Sequence, residues 1–260
     1  MKIIKILVVI LIFSLHSGKL YSQDFDLWKN NFKKYAISQG ISQKTVNLLI
    51  DESKFLKNVI KYDRYQPEFY EDTNTYIKKR TSKKKLISGT KLYKKNSKSI
   101  DKISEKFQID KNLLLSLMGI ETNFGTYLGK MDIVSSLATL SYDQRRSVFF
   151  TNELIVLLKL VDKKIIDPKI LYGSWAGAFG NFQFMPSTIN HHAIDYNNDG
   201  FIDLKSIDDS FASAANYLKN IGWNDNIPCF FKVDLKQSIS KKYLNSSAKK
   251  IKNIKKVSYF

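Results

Sequence analysis

The sequence predicts a mainly α fold, and three observations predict it. Apolar residues recur every three or four positions through most of the 260-residue chain. No segment sustains the two-residue alternation of a half-buried strand. Serine or aspartate precedes several of the periodic runs and glycine follows them, as helix starts and stops require. A hydrophobic content of 43% suits a packed core, and the length suffices for one large domain or two smaller ones. The lone cysteine, Cys229, cannot form an internal disulfide, so stability has to come from buried apolar surface.

Residues 1–23 are set apart from the rest. A basic start, "MKIIK", leads into the apolar run "ILVVILIFSL" and then into polar residues, the pattern of a secretory signal peptide cleaved after Ser22 or Gln23. The apolar run is short for a bilayer span and no second one follows, so the expected product is exported, periplasmic and without a transmembrane anchor. Cys229 lies too far from the signal to carry a lipid.

The next elements form an expected N-terminal helical subdomain, 24–107, packed on a core at 108–228. In "DLWKNNFKKYAISQG", Leu27, Trp28, Phe32 and Tyr35 share a helical face and Gly40 stops the helix. "SQKTVNLLIDES" is capped by Ser42 and carries Val46, Leu49 and Ile50 on one side. "KYDRYQPEFYEDT" reads as an extended connection because of Pro67. From Thr75 to Phe107 the spacing predicts two amphipathic helices with Ile77, Leu86, Leu92, Ile100, Ile103 and Phe107 inward.

The core holds three more predicted helices. One is "LLLSLMGIETNFG", capped by Asp110 with Gly125 near its end; the others span 147–161 and 210–220. Between them "GSWAGAFGNFQFMPST" offers glycines at 173, 177 and 180 for tight turns, the best candidate for a cleft wall. Residues 229–260 form a lysine-rich tail without periodicity.

A net charge of +18 suits an anionic partner. A lysine-, asparagine- and isoleucine-rich composition produces the same charge on any solvated surface, and export argues against nucleic acid as the partner.

Two motifs carry chemistry. Glu121 shares a helical face with Leu114 and Leu117. A carboxyl group there loses hydration, its pKa rises, and it becomes a candidate general acid. Position alone is equally compatible with a paired or loop-capping carboxylate. The second motif, "DYNNDGFIDLKS", places Asp195, Asn197, Asp199 and Asp203 at the first, third, fifth and ninth places of an EF-hand loop, with Gly200 sixth and the Phe201 carbonyl as a further ligand. Ser206 stands twelfth, where a bidentate acid usually closes the site, leaving Asp208 or Asp209 to substitute. The competing reading is a calcium-free Asn/Asp turn.

"GIETNFGTYLGK", "SLATLSYDQRR", "GSWAGAFGNFQFMPST" and "ANYLKNIGW" occur in that order, with "YDRYQPEF" upstream. Together they resemble the lytic murein transglycosylase B family over Asp26 to Trp223. The resemblance implies a lysozyme-like (α+β) catalytic core with an embedded EF-hand-like loop. It also implies cleavage of the MurNAc-β-1,4-GlcNAc bond of peptidoglycan glycan strands without water, leaving 1,6-anhydroMurNAc ends. Glu121 would be the single acid/base, with the substrate's N-acetyl group replacing the second carboxylate of ordinary glycosidases. No cofactor would be needed for catalysis, and Ca2+ would be structural.

Family glycan contacts fall on Ser174, Gln183, Phe184, Met185 and Tyr217. Arg145 and Arg146 match an arginine pair suited to a lactyl or stem-peptide carboxylate, unless one of them holds loops by ion pairing. Two departures stand out: family members usually continue into a C-terminal "YN" segment that completes the groove, and Phe149 stands where some carry tyrosine. Weakened binding or a different groove cover is therefore expected. A lysozyme-type hydrolase on the same fold and a non-catalytic wall-binding protein are the competing functions.

Overall fold

Most of the helices form where a stripe or a whole surface of apolar residues finds cover. The computed structural model describes residues 24–65, 72–224 and Ser238. The signal segment, the Pro67 connection and the tail with Cys229 lie outside them, Ser238 apart. Helix α1 spans 24–38, and it buries Phe25, Phe32 and Ala36 with Trp28 half-covered. Leu27 and Tyr35 are exposed, so the inner stripe is offset from the expected one. Its anchor is the ring stack Phe25–Trp28–Phe32, with centroids 5.4 and 5.1 Å apart.

Helix α2 (Gln43–Ile50) follows the sequence reading: Ser42 accepts from the Thr45 backbone N–H, and Val46, Leu49 and Ile50 are buried. The extended reading of "KYDR" does not hold, because those residues finish helix α3 (Lys57–Arg64). Val59 and Asp63, one turn apart, are both buried, and that burial carries the helix up to Tyr65, where the backbone turns extended ahead of Pro67.

Helices α4 (Thr73–Arg80) and α5 (Lys83–Phe107) follow, α5 breaking helical geometry at Asn96 (φ −122°, ψ 20°). The expectation is met from Leu92 onward, Leu92 being half-buried against the core. Ile100, Ile103 and Phe107 are buried there, whereas Ile77 and Leu86 face outward.

Helix α6 (Lys111–Thr122) starts at Asp110, which accepts from the Asn112 N–H at 2.7 Å. It ends through left-handed Asn123 and Phe124, and Gly125 continues the turn. The Phe124 ring then fits between α5 and α6. Cβ atoms built at Gly89 and Gly119 would lie 2.8 and 2.7 Å from its Cζ, so only glycine leaves room at both sites.

Helix α7 (Ile133–Tyr142) is buried from Ile133 to Ser141, and it packs along α8 (Ser147–Asp162). Helix α9 (Pro186–His192) bridges α8 and α10 (Ile207–Asn220), and α10 packs against α5. The β component among the described residues is a two-stranded antiparallel ladder, β1 (Met131–Asp132) with β2 (Tyr172–Gly173), in which Met131 faces Gly173. The buried apolar side chains form one cluster running from Phe25 to Ala215.

Candidate active site

Three elements meet around Glu121. Helix α6 supplies Leu117 and Glu121, one turn apart on the same face. The glycine-rich segment supplies Phe182, Gln183, Phe184 and Met185, α9 supplies Thr188, and α10 supplies Ala214, Tyr217 and Leu218. Together they line a concave cavity of about 250 Å³.

Local chemistry shapes the wall. Phe179 and Phe184 exchange two backbone hydrogen bonds (3.1 and 3.0 Å), closing a tight loop from Gly180 to Gln183. Gly180 has φ +81°, and a Cβ there would sit 2.5 Å from the Leu204 Cβ. Gln183, also left-handed, donates its side-chain amide to the Leu128 and Gly180 carbonyls (3.2 and 3.0 Å). A buried polar node ties the wall to both helices. Thr122 Oγ1 donates to the Asn181 carbonyl at 2.8 Å, and Asn181 Nδ2 donates to Ser210 Oγ at 3.0 Å. The far end is held by buried Glu153, which accepts from the Ser187 N–H (2.8 Å) and hydroxyl (2.6 Å) at the start of α9.

Among the described residues Glu121 has no ion pair and no side-chain hydrogen bond, so neither the paired nor the capping reading of its carboxylate is realised there. Much of its surface is reachable by solvent, yet the surrounding protein displaces water from the carboxyl, and this desolvation raises its pKa above the ordinary value. A carboxyl in a concave wall can be both accessible and under-hydrated.

Gln183, Phe184, Met185 and Tyr217 lie in this cavity, as their grouping with Glu121 anticipated. Phe184 is at once core and wall: it is buried, and its ring centroid is 5.6 Å from that of Tyr217. Ser174 is elsewhere on the same segment, where its Oγ accepts from the Ala178 N–H at 3.0 Å and shapes the turn. Phe149 is exposed against Phe150, edge to face at 5.0 Å. Phe182, Thr188, Ala214 and Leu218 were not anticipated. For the last two a signal existed, since 214, 217 and 218 share one face of a helix.

Arg145 and Arg146 adopt the loop-holding arrangement, and both do so. Arg145 Nε donates to Asp63 Oδ2 at 2.6 Å and its Nη2 to the Asp63 carbonyl, while Arg146 Nη2 donates to Asp63 Oδ1. Arg146 also stacks over the Phe150 ring at 4.8 Å. Burial raises the Asp63 pKa, but the hydrogen bonds and charges of the two guanidiniums outweigh it and leave the carboxyl below its ordinary value.

The EF-hand-like segment is a network of Asx turns. Asp195 accepts from the N–H groups of Asp199 (3.2 Å) and Gly200 (2.8 Å), and Asp199 accepts from Phe201 (2.9 Å). Asn197 Oδ1 accepts from the Asp199 N–H, and Asp203 from that of Lys205. Ser206 caps α10. Asp209, fully buried, points back to the loop and accepts from Tyr196 (2.8 Å) and Asp203 (2.9 Å). Its pKa is raised, mainly by burial, with the Asp195 charge adding to the rise. Among the described residues no three His, Cys, Asp or Glu side chains converge into a metal cluster. The donor set is nevertheless all oxygen, as a hard cation such as Ca2+ requires.

Comparison with known proteins places this geometry. The transglycosylase SLT domain family matches residues 24–258. The membrane-bound lytic murein transglycosylase B of Escherichia coli K12 is 34% identical over 149 residues, 57% of this chain and 41% of its own. The structure of SltB3 from Pseudomonas aeruginosa in complex with NAG-NAM-pentapeptide superposes with a TM-score of 0.80 at 30% identity, covering 84% of this chain and 59% of that one. The lytic transglycosylase Slt35 of E. coli in complex with calcium gives a TM-score of 0.67 at 29% identity, covering 76% and 64%. The chain thus spans less than two thirds of the length of each of these relatives. The matches bear out the expected mainly α, lysozyme-like fold. With nine-tenths of its length inside the matched region, about which the structural neighbours agree, the chain belongs to the transglycosylase SLT domain family.

Proposed function

We propose that this protein is an exported peptidoglycan lytic transglycosylase that cleaves the MurNAc-β-1,4-GlcNAc bond with Glu121 as its single acid/base. The observation that carries the reading is an unpaired carboxyl of raised pKa in a concave wall. Protonated Glu121 donates to the glycosidic oxygen as the bond from C1 to that oxygen breaks. The substrate's N-acetyl oxygen bonds to C1. Glu121, now a carboxylate, takes the proton of the MurNAc 6-hydroxyl, whose oxygen displaces the N-acetyl oxygen and closes the 1,6-anhydro ring. Among the described residues lining the cavity Glu121 is the only carboxylate, which favours substrate assistance over a two-carboxylate hydrolysis. SltB3, bound to NAG-NAM-pentapeptide, supports the substrate class.

The other residues fit a sugar groove. Tyr217 and Phe184 offer aromatic surface to a sugar face, and the Gln183 amide oxygen and Ser174 hydroxyl proton remain for sugar polar groups. Mass spectrometry of fragments from purified peptidoglycan tests the reading. The expected products carry anhydro ends, lighter than hydrolysis products by one water; reducing ends alone would establish the hydrolase instead, and bound but uncut sacculi a wall-binding protein.

The loop at Asp195, Asn197, Asp199, Phe201 and Asp203 is proposed to hold a structural Ca2+, with Asp209 in place of an acid at Ser206. The calcium complex of Slt35 supports this. Calcium at 100 times its Kd is expected to stabilise the fold by about 2.7 kcal/mol, a rise in Tm of about 5–10 °C, and Asp195→Asn to remove the shift. An unchanged Tm with no calorimetric heat would make the loop a calcium-free turn.

A further inference from the structure

We propose that the face formed by α4 and the first half of α5 docks on an anionic lipid bilayer. Between Asp72 and Asp101 the sequence carries ten lysines and arginines and no acidic residue. Aliphatic side chains that periodicity placed inward are instead outside: Ile77 is 50% exposed and Leu86 71%, and the neighbouring Ile87 is 60% exposed. Across from Leu86, Ile120 of α6 is 45% exposed, and the two sit on the lining of one cavity of about 460 Å³ with Leu115, Tyr93 and Phe124. Lys83 and Lys84, both exposed, begin α5 immediately before Leu86. Apolar side chains flanked by cations on a helical face are the composition of an interfacial element: the aliphatic groups enter the acyl boundary while lysines reach lipid phosphates.

The occupant follows from both halves of that surface. Anionic charge alone would suit a polar glycan, but sugar hydroxyls give exposed aliphatic side chains no reason to be buried. The glycan cavity also opens elsewhere. Helix α6 presents Leu117 and Glu121 to it, and turns Leu115, Ser116 and Gly119 toward the lipid-facing side. A chain so docked keeps its sugar cavity off the membrane plane, and the docking does not depend on Glu121 being catalytic.

Vesicle flotation of the processed chain beginning at Asp24 tests the proposal. The expected result is flotation with phosphatidylglycerol/phosphatidylcholine vesicles and none with phosphatidylcholine alone. Leu86→Ser with Ile87→Ser is expected to weaken binding about tenfold. Lys83→Gln with Lys84→Gln should do the same and flatten the salt dependence, while Lys57→Gln with Lys61→Gln, on α3, should change it less than about twofold. No flotation overturns the proposal, and so does salt-sensitive binding that the α3 pair weakens as much as the α5 pair while the serine variant has no effect. Retention on sacculi or on an acidic protein, lost in the serine variant while vesicles are ignored, overturns it in favour of that partner.

Discussion

Glu121→Gln is expected to cut the release of glycan fragments on the order of a thousandfold and, at neutral pH, to raise the melting temperature by about 1–2 °C. The first effect removes the one carboxyl among the described residues that line the cavity, the group proposed as the acid. The second has the opposite sign from most substitutions, and it follows from the raised pKa. Folding that raises a carboxyl pKa favours the protonated chain, so its stabilising contribution is present below the unfolded value, near 4.5, and lost as pH rises through the folded value. At neutral pH the ionised, under-hydrated carboxylate opposes folding. Glutamine is neutral at every pH and removes that opposition, so the Tm difference should vanish near pH 4. Thermal melts of both chains between pH 4 and 8 measure it. Loss of fragments together with a lower Tm at neutral pH would mean that Glu121 has a structural partner.

Replacing Arg145 and Arg146 together by alanine is expected to cost about 3 kcal/mol, lowering Tm by about 6–12 °C. Asp63 is buried, and those two guanidiniums are what compensate its charge. Removing them strands a carboxylate in the protein interior. Asp63→Asn should cost less, because each arginine is partly exposed and can turn to water. The acid limb carries a second signature. The Asp63 pKa is lowered on folding, so its contribution is complete above the unfolded value of 3.8 and is lost as pH falls through the folded value below it. The double variant should therefore lose the part of the dependence of stability on pH below 3.8 that the paired Asp63 contributes. Chemical denaturation at several pH values reads both effects, and an unchanged midpoint at neutral pH would show that the pair contributes nothing.

Individual residues show what could be read from the chain and what could not. Helix α6, its Asp110 cap and the stripe leading to Glu121 were readable because each rests on contacts within a few residues. The burial of Val46, Leu49 and Ile50 was readable for the same reason. Helix α7 has no stripe, since it is covered on every side, and periodicity is silent about such a helix. Helix α3 was hidden by the influence assigned to Pro67, yet the helix runs to Arg64 and the backbone turns extended only at Tyr65. Ile77 and Leu86 were placed inside by their spacing, but an aliphatic residue at helical spacing is free to be outside. The Asp63 clasp joins residues 82 and 83 apart, and no local pattern announces a pairing over that distance.

The Phe124 ring between Gly89 and Gly119 sets a tolerance for the whole site. Cβ atoms at Gly89 of α5 and Gly119 of α6 would both run into the tip of that ring, and Glu121 lies two residues beyond the second glycine. One added methyl group at either glycine has to be absorbed by shifting the ring or spreading the helices, and a spread helix carries the carboxylate with it. The placement of the Glu121 carboxyl is thus referenced to two hydrogen atoms on the side of the helix away from the cavity it lines.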